Sequence, residues 1–259
     1  MLKSTWDLIL QRPPLTEEEK QLEYAELYDR KFSGPDAAVL YALRENNPIK
    51  PENAIFDFKE LLTTEPLPIE NGYCSLPNGG GYAAVRTEFR GITVEQYNWW
   101  RKWRFDCSAA DEQIRYKLWC PGSHIVQVHQ PSEMAIEDIG LGPEEFHFNG
   151  RLTKEDLFDA ETLKLAEGFD FHLSVTKVYS PHNPVDGMYG IVLHVIRATE
   201  YGFEMRSRFW QGYTVEGGKL VCKLKPGEAV HPDFPYLIAH HCANEMSSLR
   251  ELIPLVYKK

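Results

Sequence analysis

Apolar and polar residues alternate along the middle of the chain, and this pattern predicts an antiparallel sheet. A period of two is typical of a half-buried strand. It occurs in IRYKLW and HIVQVHQ, and further strands are predicted at GYAAVRTEF, EEFHFNG, FDFHLSVTKVY, MYGIVLHVIRAT and FEMRSRFWQGYTV. The last two segments are joined by EYG, a turn of hairpin length.

Helical spacing predicts helices on both sides of this strand-rich region. The segment TEEEKQLEYAELYDRKF opens with a capping box formed by Thr16 and Glu19, which predicts a helix over 16–32. DAAVLYALR, DFKELL, TVEQYNWWRKWRF and TKEDLFDAETLKLAEG are further helical segments, the last of them ended by Gly168. A final long helix is expected from about Pro235 to Leu252.

A proline-rich stretch, TTEPLPIENG, predicts a boundary near residue 65. Residues 1–65 are therefore expected to form a helical extension, and residues 66–259 the catalytic domain. Many strands followed by one long helix favour the α+β class, with an antiparallel sheet around the C-terminal helix in a helix-grip arrangement. Such a sheet and helix enclose a cavity suited to a small molecule.

Composition limits the classes of partner. The 259 residues are 43% apolar and carry a net charge of -10, which argues against binding a nucleic-acid backbone. No apolar run is long enough to span a membrane, and the N-terminal segment does not resemble a secretory signal. Five scattered cysteines predict neither a disulfide framework nor a cysteine zinc site, so we expect a cytoplasmic protein. The sequence does not decide whether the protein forms a homo-oligomer.

The C-terminal helix carries a polar pair within an apolar stripe. Leu237, His241, Glu245, Leu249 and Leu252 are spaced by four, four, four and three residues, so they share one helical face. An ionised carboxylate on a buried face is costly unless it is paired or bound to a cation. His241 and Glu245 are thus two ligands of one metal ion, a hydrogen-bonded pair in the core, or an exposed pair if the helix lies shallow on the protein.

Two further histidines lie on predicted strands. His124 opens the segment HIVQVHQ, and His147 stands between two phenylalanines in EEFHFNG. Each of them alone is more often a hydrogen-bonded core histidine than a ligand. Convergence of both with the helical pair would make an N/O site of the kind that zinc prefers, but the sequence does not show that they converge.

Four motifs, taken in order, resemble a known family. LPNGGGYAAVRTEFRGITVEQYNWWRKW, RYKLWCPGSH, GFEMRSRFWQGY and AHHCANEMSSLRELIPLVY are similar to the 2,4-diacetylphloroglucinol hydrolase and phloretin hydrolase family over roughly residues 70–257. The resemblance implies a Bet v 1-like domain with a zinc ion held by two histidines and two glutamates. It also implies hydrolysis of a carbon–carbon bond between an acyl group and a phenolic ring.

The resemblance assigns three metal ligands: His124, His241 and Glu245. The family's second glutamate has no clean match. His147 lies nearest to its place, Glu145 lies two residues away on the same strand face, and Glu155 is a third option. We take His147 as the fourth ligand, with Zn2+ as the expected metal and another divalent ion as the alternative.

The resemblance also assigns groups to the substrate pocket. Tyr116 matches a tyrosine that holds a phenolic oxygen, and Gln127 stands in place of an asparagine that faces the substrate. His194 corresponds to a pocket histidine, and Trp210 and Tyr213 lie in the matching strand. We take Tyr116, His194 and Tyr213 as catalytic and Gln127 and Trp210 as substrate-binding. For the arginines of RSRFW, ion-paired packing in the sheet is at least as good an interpretation.

These residues predict a metal-dependent hydrolase that cleaves a carbon–carbon bond in an acylated polyphenol or a related polyketide ketone. A retro-Claisen reaction needs an activated water, groups that hold phenolic oxygens and a proton for the leaving ring carbon. The altered ligand position leaves two alternatives. One is a cyclase, dehydratase or retro-aldol enzyme of a natural-product pathway, and the other is a non-catalytic binder of small hydrophobic molecules.

Overall fold

An eight-stranded antiparallel sheet forms the centre of the protein, in a computed structural model that describes residues 12, 14–44, 49–130, 133–138, 145–179 and 184–257. The strand order is β1-β2-β8-β7-β6-β5-β4-β3. These strands are Gly72–Ser75, Gly81–Arg90, Val126–Gln130, Glu133–Asp138, Glu145–Leu152, Phe169–Tyr179, Met188–Thr199 and Gly202–Gln211 for β1 to β8. A separate hairpin pairs β9, Tyr213–Glu216, with β10, Lys219–Cys222.

Six α-helices accompany the strands in the described part of the chain. They are Ala37–Arg44, Val94–Trp103, Ala109–Trp119, Lys154–Leu157, Ala160–Leu165 and Phe234–Val256, here α1 to α6. The long helix α6 packs against β1, β2 and β8. The predicted α+β class, with an antiparallel sheet and a C-terminal helix, is confirmed. No helix among the described residues is both long and apolar enough to cross a membrane.

The two faces of the sheet build two separate cores. On β8, Met205 and Phe209 point towards α6 and join its apolar residues, including Leu237 and Leu249. Trp210, with the opposite parity, joins a second core on the outer face. The alternation of side chains along each strand therefore decides which residues reach the space beneath α6.

Residues 49–62 supply part of the outer core, through Ile49, Phe58 and Leu61. The side chain of Arg206 donates to the backbone oxygens of Thr63 and Glu65 and pairs with Glu70. This geometry agrees with the interpretation of that arginine as ion-paired sheet packing. The division of the chain at residue 65 stays a prediction.

The helix predicted over 16–32 is wrong. The capping box forms, because Glu19 N donates to Thr16 Oγ1 and Thr16 N donates to the Glu19 carboxylate. The segment then continues only as two short 3-10 turns, Glu19–Gln21 and Ala25–Leu27. Tyr24 between them has a left-handed backbone with φ 70°, which interrupts the helical path.

The strand predicted at IRYKLW is also wrong, because this segment belongs to α3. Ser108 caps that helix by accepting from the backbone N–H of Asp111. The apparent alternation does not separate an exposed face from a buried one, because the buried residues of this helix are Ile114, Arg115, Tyr116 and Leu118. The predicted helix over 153–168 is interrupted as well, into α4 and α5.

Candidate functional site

A cavity of about 1050 Å³ lies between the sheet and the helices α2 and α6. Its wall includes residues of β6 and β7 on the sheet side and His241 and Glu245 on the α6 side. This volume is at the upper end of what small-molecule sites span. The cavity is thus large enough for an aromatic substrate of more than one ring.

The polar pair of α6 is buried, as the stripe predicts. His241 is 5% exposed and Glu245 is 7% exposed. Leu249 and Leu252, further along the same stripe, are fully buried. Four-residue spacing places the two polar side chains on one side of the helix, facing the cavity.

His124 joins this pair from a different element. It follows α3 after the turn at residues 121–123 and is 1% exposed. Its Nε2 lies 3.4 Å from Oε2 of Glu245, and the Nε2 of His241 lies 3.6 Å from the same oxygen. The potential ligand atoms of the three residues all lie within 4.8 Å of one another. Two imidazole nitrogens and one carboxylate oxygen therefore converge on a small volume.

A hydrogen bond at Nδ1 orients each of the two imidazole rings. Nδ1 of His124 lies 3.1 Å from the backbone oxygen of Tyr116, so it donates there and its Nε2 faces Glu245. Nδ1 of His241 lies 2.7 Å from Oγ of Ser123. Metal-binding histidines in proteins have this arrangement, in which the second ring nitrogen is hydrogen-bonded and the first is presented to the ion. The three residues could hold a divalent cation.

Burial and mutual contact shift the ionisation of the cluster. Burial lowers the pKa of His124 to about 4, although the adjacent carboxylate of Glu245 opposes this shift. Burial alone would raise the pKa of Glu245, but the two imidazoles beside its carboxylate outweigh burial and lower the pKa. At neutral pH the cluster therefore offers a neutral His124 and a carboxylate, the forms in which these residues bind metals.

His194 faces the same cavity from β7. Its Nδ1 lies 2.8 Å from Oγ of Ser207 on β8, and the two residues are directly paired across the strands. Burial lowers the pKa of His194 to about 4. The ring is therefore neutral at pH 7.

Acid is expected to destabilise the metal-free protein in part through His194. Burial lowers its pKa from the ordinary value of 6.5 to about 4 in the folded state, so the unfolded chain takes up this proton first as the pH falls. Stability is then lost below pH 6.5, down to about 4. Between pH 6 and 5, His194→Gln should lose about 1 kcal/mol less than the parent in urea unfolding with chelator. Equal losses in both proteins would contradict the shift.

Neither Tyr116 nor Gln127 is part of the cavity wall. The ring of Tyr116 is stacked on His124, with centroids 4.1 Å apart and 5° between the planes. Gln127 is 1% exposed, and its backbone N–H donates to the side chain of Gln113. The expectation that Tyr116 lies on a strand is wrong, because the residue is on α3, where its ring packs on that of His124. Its predicted contact with the substrate is not supported by this position.

Trp210 and Tyr213 belong to the outer core and not to the cavity wall. The indole N–H of Trp210 donates to the backbone oxygen of Ile55. The hydroxyl of Tyr213 accepts from the side chain of Asn78 at 2.6 Å. Their predicted contact with substrate is therefore not supported by their positions, and Phe209, one residue before Trp210, lines the cavity instead.

The fourth predicted ligand, His147, is not part of the convergent group in the described residues. It lies on β5, and its ring packs against Tyr179 with centroids 4.5 Å apart. The side chain of Glu145 lies outside the described residues. Glu155, the third option, lines the cavity.

Sequence reasoning missed several groups that the cavity brings together. Ser123 directly precedes His124, and its position in the chain could have suggested a supporting role. His172 pairs with His194 across β6 and β7, and its Nε2 lies 2.9 Å from Nη1 of Arg101 on α2. His172 and Arg101 both line the cavity. Only the three-dimensional contact between β6 and α2 brings these two residues together.

The fold and the cavity define an α+β protein with a buried His–His–Glu group in a large small-molecule cavity. A sequence model of the family described as DAPG hydrolase PhiG domain matches residues 53–258. The chain belongs to this hydrolase family.

Curated relatives agree with this assignment. The chain is 25% identical to phloretin hydrolase of Eubacterium ramulus over 263 residues, covering 93% of this chain and 91% of that protein. It is 23% identical to a 2,4-diacetylphloroglucinol hydrolase of Pseudomonas sp over 237 residues, covering 80% and 76%. A hydrolase of the same name from Pseudomonas protegens is also 23% identical, with coverage of 80% and 73%.

Proposed function

We propose that this protein is a metal-dependent hydrolase that cleaves the bond between an acyl carbon and the ring of an acylated polyphenol. The observation that carries the proposal is the convergence of His124 Nε2, His241 Nε2 and a Glu245 oxygen beside a cavity of about 1050 Å³. The names of the relatives supply the substrate class. The sheet and α6 are compatible with a helix-grip, Bet v 1-like domain, which we include in the proposal.

Zinc is the metal we propose, because it accepts mixed imidazole and carboxylate ligands. The donor set fits such an ion: the carboxylate of Glu245 is buried, and two imidazoles are held with Nε2 towards it. When bound, a divalent cation lowers the pKa of water and polarises a ketone oxygen. The hydrogen bonds of the two rings with the Ser123 hydroxyl and with the backbone oxygen of Tyr116 keep both rings in place for this task.

Glu155 is the fourth ligand that we favour. Like His147, it is not part of the convergent group in the described residues, and it is exposed, but it lines the cavity, whereas His147 packs against Tyr179. Asp156 caps α4 by accepting from the backbone N–H of Thr153, so Glu155 does not perform that role. A second carboxylate would also complete the two-histidine, two-glutamate set that the family resemblance implies.

Glu155→Gln is expected to weaken zinc binding by about tenfold or more, while His147→Gln changes it less than about twofold. The dissociation constant is measured by competition with a chromophoric chelator. Both variants replace a titratable group by the same amide, so they are matched. A larger loss in His147→Gln would restore the original ligand assignment.

Proton transfer is the role we propose for His194. Its neutral ring accepts a proton at Nε2 from the attacking water while Nδ1 stays on Ser207. Hydroxide adds to the acyl carbon, the acyl–ring bond breaks, and the ring carbon takes the electron pair. The proton held by His194 then passes to that ring carbon. The products are a carboxylic acid and the free polyphenol, which accounts for all atoms of the ketone and of water.

Product analysis tests the proposal against its rivals. The zinc-loaded protein is incubated with phloretin or 2,4,6-trihydroxyacetophenone, and the mixture is analysed by mass spectrometry. Hydrolysis predicts phloroglucinol and the corresponding acid in equal amounts. An isomeric or dehydrated product would favour a cyclase or dehydratase, and binding without conversion would favour a non-catalytic binder.

A further inference from the structure

Basic side chains are concentrated around the cavity of a chain whose net charge is -10. Five of them line it: Arg101, Lys102, Arg104, Arg151 and Lys154. The acidic residues of the wall are Asp170, Glu155 and Glu245, and the last two are assigned above to the metal. Among the charged residues of the wall that are not assigned to the metal, all except Asp170 are therefore cationic.

Arg101 is the best defined of these cations. It is half-buried on α2, and its Nη1 lies 2.9 Å from Nε2 of His172. A guanidinium only donates hydrogen bonds, so Nε2 of His172 is the acceptor and this ring is neutral. Burial, together with the charge of Arg101, lowers the pKa of His172 to about 2. Among the described residues, no carboxylate forms an ion pair with Arg101.

The contact with His172 positions Arg101 without neutralising it. His172 lies on β6 directly opposite His194 on β7, so the guanidinium lies on the sheet side of the cavity near the proposed proton carrier. Arginine has five N–H donors in a planar fork, and one contact to an imidazole leaves that fork able to bind an anion. A half-buried charge without an acidic partner favours an anionic ligand.

We propose that Arg101, held by His172, forms an anion subsite that binds an anionic oxygen of the substrate. This inference rests on the proposed function and narrows it to acylated polyphenols that bind as anions. The charge belongs to a carboxylate on the substrate or to an ionised ring hydroxyl. In either case the guanidinium fixes the ring relative to His194 and the metal ligands.

The test uses ligands that are not turned over, with the zinc-loaded full chain. Dissociation constants are measured by calorimetry for 2,4,6-trihydroxybenzoate and for the neutral 2,4,6-trihydroxybenzamide. If the anion is a carboxylate, Arg101→Gln should lower the preference for benzoate over benzamide by about tenfold. Gln keeps an N–H donor for His172, and unchanged benzamide binding shows that the variant is folded. Arg90→Gln, on an exposed strand position away from the cavity, is the matched control.

Binding of phloroglucinol, which has no carboxylate, tests whether the anion is an ionised ring hydroxyl. If the anion is a ring phenolate, the parent should bind phloroglucinol more tightly above its first ionisation than below it, and Arg101→Gln should lose that gain. Arg101→Lys keeps the charge but not the fork, so it should retain only part of either preference. A preference for benzoate that persists in Arg101→Gln would mean binding at the metal.

Two results together would overturn the subsite. Arg101→Gln would keep the preference for benzoate over benzamide, and parent and variant would bind phloroglucinol equally at both pH values. These binding measurements do not depend on whether the protein turns over a substrate. A protein that binds anions through Arg101 but hydrolyses no acylated polyphenol would refute the proposed function and keep the subsite. If the protein hydrolyses an acylated polyphenol but Arg101→Gln has the same preference for anions as the parent, only the subsite would be refuted.

Discussion

Replacing Glu245 by Gln is expected to remove most of the bound metal and to lower kcat/KM more than about 100-fold. The change keeps the shape of the side chain and removes its charge. His124 and His241 then lose the carboxylate oxygen that both nitrogens now face at 3.4 and 3.6 Å. Metal per chain is measured by mass spectrometry after dialysis without chelator, together with the rate on an acylated polyphenol.

Glu251→Gln is the matched control, since it makes the same change on the same helix. Glu251 accepts from the backbone N–H of Ser33 and is not part of the cavity wall. The variant Glu251→Gln should retain the metal content and the rate of the parent protein. Circular dichroism should show that both variants are folded. If Glu245→Gln binds as much metal as the parent, the cluster is a hydrogen-bonded core group and the proposed site is wrong.

The second large effect is expected at His194. His194→Gln should lower kcat by about 10²- to 10³-fold, because the neutral imidazole is the proposed proton carrier and an amide cannot replace it. Metal content should stay at the parent level, since His194 is not part of the convergent group. Steady-state kinetics and metal analysis on the same preparation distinguish this role from that of Glu245.

His231→Gln, in the loop before α6, is the control for a histidine outside the cavity. It should be as active as the parent. A loss of metal in His194→Gln would mean that His194 is a ligand. A rate within about threefold of the parent would remove it from the proton transfer.

The buried pair on α6 could be predicted because it is a local property of one helix. The spacing from Leu237 to Leu252 defines a single face, and the leucines on it indicate which way that face points. His241 and Glu245 are buried in agreement with this pattern. The long strands β6 and β7 could be predicted as well, since their segments are rich in β-branched and aromatic residues.

The surroundings of the pair depend on contacts that no local pattern encodes. Tyr116 was expected on a strand because Ile114, Tyr116 and Leu118 alternate with polar residues. In α3 even Arg115 is buried, with its guanidinium over the ring of Trp103, so polarity does not indicate the exposed side.

Trp210 and Tyr213 lie on the outer face for two different reasons. Trp210 has the opposite parity to Phe209, and which parity faces α6 is decided by packing and not by the strand itself. Tyr213 follows Gly212, whose φ of 85° breaks the strand, so its direction cannot be counted from β8. The family resemblance identified the correct strand but not the face.

Zinc titration in heavy-oxygen water tests the central claim most directly. The protein is stripped with chelator, and zinc is returned in steps while 2,4,6-trihydroxyacetophenone is converted in water labelled with oxygen-18. We predict that the rate rises linearly to one zinc per chain and that the acetic acid formed carries one labelled oxygen from water. Full activity of the stripped protein, or an acid without label, would contradict metal-dependent hydrolysis.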